Sequence, residues 1–224
     1  MNIVYALTRN FYPKLKPSLT SLREHNPDAK VFILAEDDEI GIDDVEVINV
    51  SGQDYFPRNG VNYYNAFTYI NLLKVCYPEL LKVSKVIHLD VDTIICKSLK
   101  EMWDTKLTCK WVGACPEYKG VYRPFGEMYY NMGVAVINLA QMRKDKIVPK
   151  MVEYLNTVPQ PYADQDAWNK YGLEKDKFVP IDIRFNESFC CGKTDDPAIV
   201  HFCGASHWYE DPGTERYAYL KKYL

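Results

Sequence analysis

The sequence predicts an α/β protein whose central sheet is mainly parallel and flanked by helices. Three observations carry that expectation. Short apolar runs suited to buried strands alternate with helical patterns through the first half of the chain. The 224 residues, 47% hydrophobic and 25% charged, have the composition of a folded globular protein with a sizeable core. No repeat, low-complexity tract or break in composition divides them, so residues 1–224 are expected to form a single domain.

The strands are read at residues 3–7, 31–35, 45–50, 86–89, 111–115, 134–138 and 199–202. Most are near-continuous apolar runs, the pattern of strands covered on both faces, although Glu46, Asn49, His88 and His201 interrupt three of them. After Pro13 and Pro17, Leu15, Leu19 and Leu22 share one helical face, and Asn26-Pro27 ends that helix. Tyr63, Phe67, Ile70, Leu73 and Tyr77 predict a second helix stopping before Pro78. Ile147, Met151 and Leu155 mark a third, and Asp164 is the expected N-cap of a short helix ending near Gly172.

Several function classes lose support at this level. A formal net charge of −3 does not favour nucleic-acid binding, which relies on Lys and Arg to neutralise phosphates. No apolar run approaches the roughly 20 residues of a membrane span. Residues 1–7 are apolar but lack a basic start and meet Arg9 early, so they read as a first strand and the cytoplasm is the expected compartment. Two lysines in residues 220–224 are too few for membrane attachment. The seven cysteines are odd in number and lack a disulfide-scaffold spacing, which agrees with reduced thiols. A zinc site from Cys190, Cys191, His201, Cys203 and His207 is the competing idea, weakened because adjacent cysteines chelate one ion poorly.

The chemistry centres on Leu89-Asp90-Val91-Asp92-Thr93, where an apolar strand ends in two carboxylates one residue apart. Alternate strand residues share a face, so Asp90 and Asp92 converge on one site. Carboxylate oxygens suit a hard ion, Mn²⁺ or Mg²⁺, that carries a phosphate-bearing ligand. In open α/β sheets, ligands bind outside the carboxyl ends of the strands, where this pair lies. The plainer reading is two turn residues closing a strand. Three later segments also stand out: Asn131-Met132-Gly133-Val134 before an apolar strand, Asp164-Gln165-Asp166 opening a helix, and His201-Phe202-Cys203-Gly204 followed by His207-Trp208. Each has a plainer reading as a turn, a cap or a hydrogen-bonded core histidine.

Taken together and in this order, with Ala6-x-x-x-Asn10 at the end of the first strand, these motifs resemble those of the family 8 glycosyltransferases, from about Met1 to Trp208. The resemblance implies a GT-A fold and a retaining transfer of a hexose from a nucleotide sugar, UDP-glucose or UDP-galactose, to a glycan or other hydroxyl acceptor. It implies Asp90, Asp92 and His201 as ligands of Mn²⁺, or of Mg²⁺. Ala6, Thr8, Asn10 and the Val91 backbone would line the nucleotide pocket, and Gly204 would let the backbone approach the diphosphate. Asn131, Gly133 and Asp164 would face the donor sugar, with Gln165 near the anomeric carbon as electrostatic support rather than as a nucleophile. The oligomeric state has no signal in the sequence.

The chain departs from the pattern at three places. Thr8-Arg9 stands where the family often has acidic residues contacting the base. Asn71 stands where an Arg is common, and His207 where a Lys reaches the diphosphate. With a reference pKa near 6.5, His207 would make turnover weaker or more pH-dependent. The acceptor groove is expected from loops 51–62 and 117–127. Two rivals use the same residues: a haloacid-dehalogenase-type Mg²⁺ phosphatase with Asp90 as nucleophile and Asp92 as acid/base, and a nucleotide-sugar-binding protein without catalysis.

Overall fold

Among the described residues, six of the seven strands of the main sheet run in one direction, in the order β3-β2-β1-β4-β7-β6-β8, and β7 alone opposes them. The computed structural model describes every residue except 65–66, 119–123, 205–208, 212 and 214. The strands are β1 (Asn2–Ala6), β2 (Lys30–Ala35), β3 (Glu46–Asn49), β4 (Lys85–Leu89), β6 (Val112–Pro116), β7 (Tyr130–Asn138) and β8 (Phe178–Pro180). A separate antiparallel pair joins β5 (Thr93–Ile95) to β9 (Ile199–His201).

Alternate residues of the central strands feed two cores. Ile3 and Tyr5 of β1, with Val31 and Ile33 of β2, pack on the face covered by Leu15, Leu19 and Leu22. Val4, Phe32 and Leu34 turn to the other face, against Ile70, Tyr77 and Trp168. Both faces are therefore dry, which is why these strands read as unbroken apolar runs rather than alternating ones.

Leu19 and Leu22 lie on α1 (Lys16–His25), Leu15 stands just before it at the end of a 3₁₀ turn, and Pro17 sits in the first turn of the helix. The stretch from Tyr63 to Tyr77 is not one helix. It becomes helical only at α2 (Tyr69–Leu72), because Thr68 is extended, and it tightens to a 3₁₀ turn over Leu73–Cys76 before α3 (Tyr77–Leu80). Pro78 does not stop a helix here; it sits in the first turn of α3, where a missing N–H leaves no bond unmade.

Farther on lie α4 (Lys100–Trp103), α5 (Leu139–Asp145), α6 (Val148–Thr157) and α7 (Asp164–Glu174). Asn138 caps α5, its side-chain oxygen accepting from Gln141 N at 3.0 Å. The expected cap of α7 needs correction. Ala163, at φ 51° and ψ −124°, is the N-cap, and Asp164 is the first helical residue with its carboxyl buried. α7 ends at Glu174, two residues past Gly172 and close to the expected end. Among the described residues no helix is long and apolar enough to cross a membrane.

Gly172 is instead a packing requirement. A Cβ there would lie 2.7 Å from Cδ2 of the Phe178 ring and closer still to Cε2. An exposed helical Gly→Ala substitution stabilises by about 1 kcal/mol, but overpacking costs about 1–3 kcal/mol, so the clash decides the sign. Gly172→Ala is expected to lower unfolding free energy by about 1–2 kcal/mol in urea titration. A gain in stability would show that α7 is not seated on β8 through this contact.

Candidate active site

The carboxyl ends of β1 and β4 lie side by side, and the polar residues gather there. Asp90 N still bonds Gly133 O of β7 at 2.7 Å, so the residue is held as a continuation of β4. Three residues on, β5 begins, and its pairing with β9 sets Thr93 opposite His201. Phe202 N donates to Asp92 O at 2.8 Å, which closes the same junction. His201 Nε2 then lies 3.3 Å from Asp92 Oδ1 and 4.0 Å from Asp90 Oδ2. Ligand atoms from Asp90, Asp92 and His201 all fall within 4.8 Å of one another, and no other group of three among the described residues does so. The zinc set built on Cys190, Cys191 and Cys203 is not assembled among those residues.

Three features fit this set to a divalent ion. Two carboxylates are ordinary ligands for Mn²⁺ or Mg²⁺, the added imidazole favours the softer Mn²⁺, and the set leaves positions for phosphate oxygens. Gly133 clears the space, because a Cβ on it would lie 2.6 Å from Asp90 Oδ2 and 2.9 Å from His201 Nε2. The third is the orientation of the imidazole, which backbone donors dictate. Gly133 N must donate, so the Asn131 atom 3.1 Å away is Oδ1. That oxygen also accepts from Asn186 Nδ2 at 2.9 Å, which leaves Asn186 Oδ1 to accept from His201 Nδ1 at 2.9 Å. His201 Nε2 is thereby aimed at the carboxylates.

A buried cation supports the pair from below. Lys74 Nζ lies 2.6 Å from Asp90 Oδ1, and His88 Nε2 reaches the same oxygen at 2.9 Å. Burial pushes His88 down to about 4, helped by Lys74, so its ring is neutral. Its Nε2–H donates to Asp90, and Nδ1 accepts from Tyr77 OH at 3.0 Å. Burial would raise the Asp90 pKa, yet Lys74 and His88 hold it well below the ordinary carboxylate range. Burial also opposes the charge on His201, but Asp92 outweighs it and carries the metal-free imidazole up to about 9. Asp164 is pushed up to about 7, chiefly by burial against the pull of Lys74, and its Oδ2 has no hydrogen-bond partner among the described residues.

The remaining expected residues fall as follows. Ala6 closes β1, and Thr8 is extended before a 3₁₀ turn that holds Asn10, at the same edge as Val91. Arg9 is held by Asp37 through two bonds of 2.8 and 2.6 Å, while its backbone N donates to Glu36 Oε2 at 2.8 Å. The acidic residues of this edge thus come from the end of β2. Asn131 is enclosed by its partners, its amide donating to Glu117 Oε1 at 2.8 Å. Gln165 Oε1 accepts from Met132 N at 2.9 Å, so its Nε2 faces Glu117 Oε1 at 3.2 Å. Gly204 has φ +79°, a conformation glycine adopts readily. His207 lies outside the described residues.

Sequence reasoning missed Lys74, His88, Glu117 and Asn186. Lys74, three residues after Asn71, is a buried cation on Asp90, and its only signal was a lysine inside the apolar run Leu72-Leu73-Lys74-Val75. Asn186 and Glu117 had no signal, because spacing along the chain says nothing about which loops meet.

Comparison with known proteins agrees with this geometry. The family model described as glycosyl transferase family 8 matches residues 2–209. A Haemophilus influenzae protein whose name carries a provisional glycosyltransferase assignment is 26% identical, the match covering 93% of this chain and 73% of that protein. The lipopolysaccharide glucosyltransferase WaaO of Escherichia coli is 24% identical over 94% of this chain and 73% of its own. Among solved structures, the galactosyltransferase LgtC in complex with donor and acceptor sugar analogues superposes with a TM-score of 0.73 at 25% identity, covering 100% of this chain and 96% of that one. The phosphatase reading is left without support, since it accounts for neither His201 nor the family match.

Two outcomes follow from the site. Gly133→Ala should weaken divalent-metal binding at least about tenfold in calorimetric titration while the far-ultraviolet circular dichroism is unchanged. Unaltered affinity would separate Gly133 from the ligand cluster. An ion must also displace the proton that His201 holds below about pH 9, so apparent affinity should rise with pH and level off above that value. Calorimetry near pH 7 in buffers of different ionisation enthalpy should count about one proton released. Release of none would place His201 outside the coordination sphere.

Proposed function

This chain belongs to glycosyl transferase family 8 and is a glycosyltransferase, and within that class we propose that it moves a hexose, with retention, from a UDP-sugar to a hydroxyl of a glycan or similar acceptor in the cytoplasm. UDP-glucose and UDP-galactose are the proposed donors, Mn²⁺ or Mg²⁺ the proposed cofactor, and one domain the proposed unit. The observation that carries the reading is the convergence of Asp90, Asp92 and His201 on space that Gly133 keeps open. LgtC, a neighbour of similar architecture, was solved with both a donor and an acceptor sugar analogue, which supports a two-substrate reaction here.

A bound divalent ion would supply positive charge to the diphosphate as it leaves. The chain's own residues prepare for that event. Lys74 and His88 keep Asp90 ionised, and Asn186 keeps His201 turned toward the site. Ala6, Thr8, Asn10 and Val91 line the nucleotide side, and Gly204 leaves the backbone free to approach the diphosphate. Asn131, Gly133 and Asp164 border the donor-sugar side, with Lys74 as the neighbouring cation.

Breaking the sugar–phosphate bond of the donor with retention passes through an oxocarbenium-like state, as in glycoside hydrolysis. Gln165 supports it as a fixed dipole. Its amide oxygen already accepts from Met132 N and its nitrogen already donates to Glu117, which suits orientation better than nucleophilic attack. The leaving phosphate accepts the acceptor's proton on the same face, so no separate base is required.

A thermal-shift screen of UDP-, GDP- and CDP-sugars, each with and without Mn²⁺, tests the donor. Stabilisation confined to one UDP-hexose plus metal is expected, and metal-independent stabilisation by every sugar nucleotide would contradict it. Asp92→Ala should abolish Mn²⁺-dependent donor hydrolysis or transfer while leaving the folded baseline intact. Wild-type protein that binds donor but neither hydrolyses nor transfers it would establish a binding protein instead.

A further inference from the structure

Outside the catalytic cluster, the two thiols of Cys190 and Cys203 face each other at 3.6 Å between sulfurs. Both are free and half-buried, so a small oxidant has access to them. The other cysteines have different surroundings. Cys76, Cys115 and Cys191 are buried, Cys115 is directed at the carbonyls of Ile181 and Asp182, and Cys96 at Ile94 O and Tyr219 OH.

We propose that Cys190 and Cys203 form a reversible disulfide that acts as a redox modification site controlling the metal-ligand strand. The oxidant class is a hydroperoxide. One thiolate takes an oxygen from hydrogen peroxide, giving a sulfenic acid and one water after proton balance. The second thiol then displaces that hydroxyl, forming the S–S bond and a second water. In sum, two thiols lose two electrons and two protons, and one peroxide becomes two waters.

The placement of the pair gives the bond its consequence. Cys190 lies in a tight turn whose ends are tied by Ser188 N to Gly192 O at 3.0 Å and Gly192 N to Ser188 O at 2.9 Å. Its carbonyl accepts from Tyr118 N at 3.1 Å. Glu187, just before the turn, accepts His201 N at 2.8 Å through its backbone oxygen. Cys203 stands two residues beyond His201 on the same strand exit. Closing the sulfurs from 3.6 Å to about 2.05 Å therefore shortens a ring that contains His201. The imidazole must hold its place opposite Asp92 within tenths of an ångström, so a pull of this size on its flank weakens the ion site. The effect on transfer rests on the proposed function; the thiol chemistry does not.

The experiment treats reduced, full-length protein with hydrogen peroxide and reads two quantities. Mass spectrometry should find a loss of two hydrogen atoms, with one cross-linked peptide pair joining Cys190 to Cys203, absent from both Cys190→Ser and Cys203→Ser. Calorimetric titration with Mn²⁺ should show affinity about tenfold weaker after oxidation, restored once a thiol reductant has been applied and removed. Cys190→Ser should keep full affinity before and after peroxide. A different cysteine pair, oxidation straight to sulfinic acids, or a Cys190–Cys203 bond that leaves Mn²⁺ affinity unchanged would each overturn the proposal. None of these readouts depends on a sugar donor, so failure of the glycosyltransfer reading would appear separately, as absent turnover in the reduced protein.

Discussion

Everything at this site depends on the two-stranded pairing of β5 with β9. Asp90 and Asp92 are placed by one strand end, but His201 comes from more than a hundred residues later in the chain. The register Thr93 to His201, with Phe202 N bonded to Asp92 O, brings the imidazole against the carboxylates. A slip of one residue would turn His201 to the opposite face and leave two carboxylates without their third ligand.

Around that junction the protein solves an electrostatic difficulty. Two carboxylates close together repel and resist burial, so in the absence of an ion they need compensation. Lys74 and neutral His88 supply it at Asp90, and the imidazolium of His201 supplies it at Asp92. The amide chain from Gly133 through Asn131 and Asn186 then fixes how His201 points. From Asn131 the same network continues to Glu117 and Gln165, so the residues read as metal ligands and those read as sugar contacts share one rigid hydrogen-bonded scaffold.

Much of the architecture was legible because both faces of the sheet are covered. Largely apolar runs located seven strands to within a few residues, and the Leu15, Leu19, Leu22 stripe located α1. Strands β5 and β8 escaped notice because β5 begins directly after the Asp90–Asp92 turn, which hides its apolar run behind two carboxylates, and β8 ends in a proline tolerated at a sheet edge. The segment after Tyr63 was misleading: its periodicity is helical, but Thr68 is extended and the helix is broken by a 3₁₀ turn. At the site, Asp90, Asp92 and His201 were readable from motif order. Lys74, Glu117 and Asn186 were not, because their contribution arises only from which distant segments meet.

The central claim is that Asp90, Asp92 and His201 together hold one divalent ion. Pulsed electron paramagnetic resonance on the Mn²⁺-loaded protein tests it directly, because a coordinating imidazole nitrogen imprints ¹⁴N modulation on the Mn²⁺ signal. The account predicts modulation from a single nitrogen that disappears in His201→Ala. Tightly bound Mn²⁺ without ¹⁴N coupling, or coupling that survives that substitution, would contradict it.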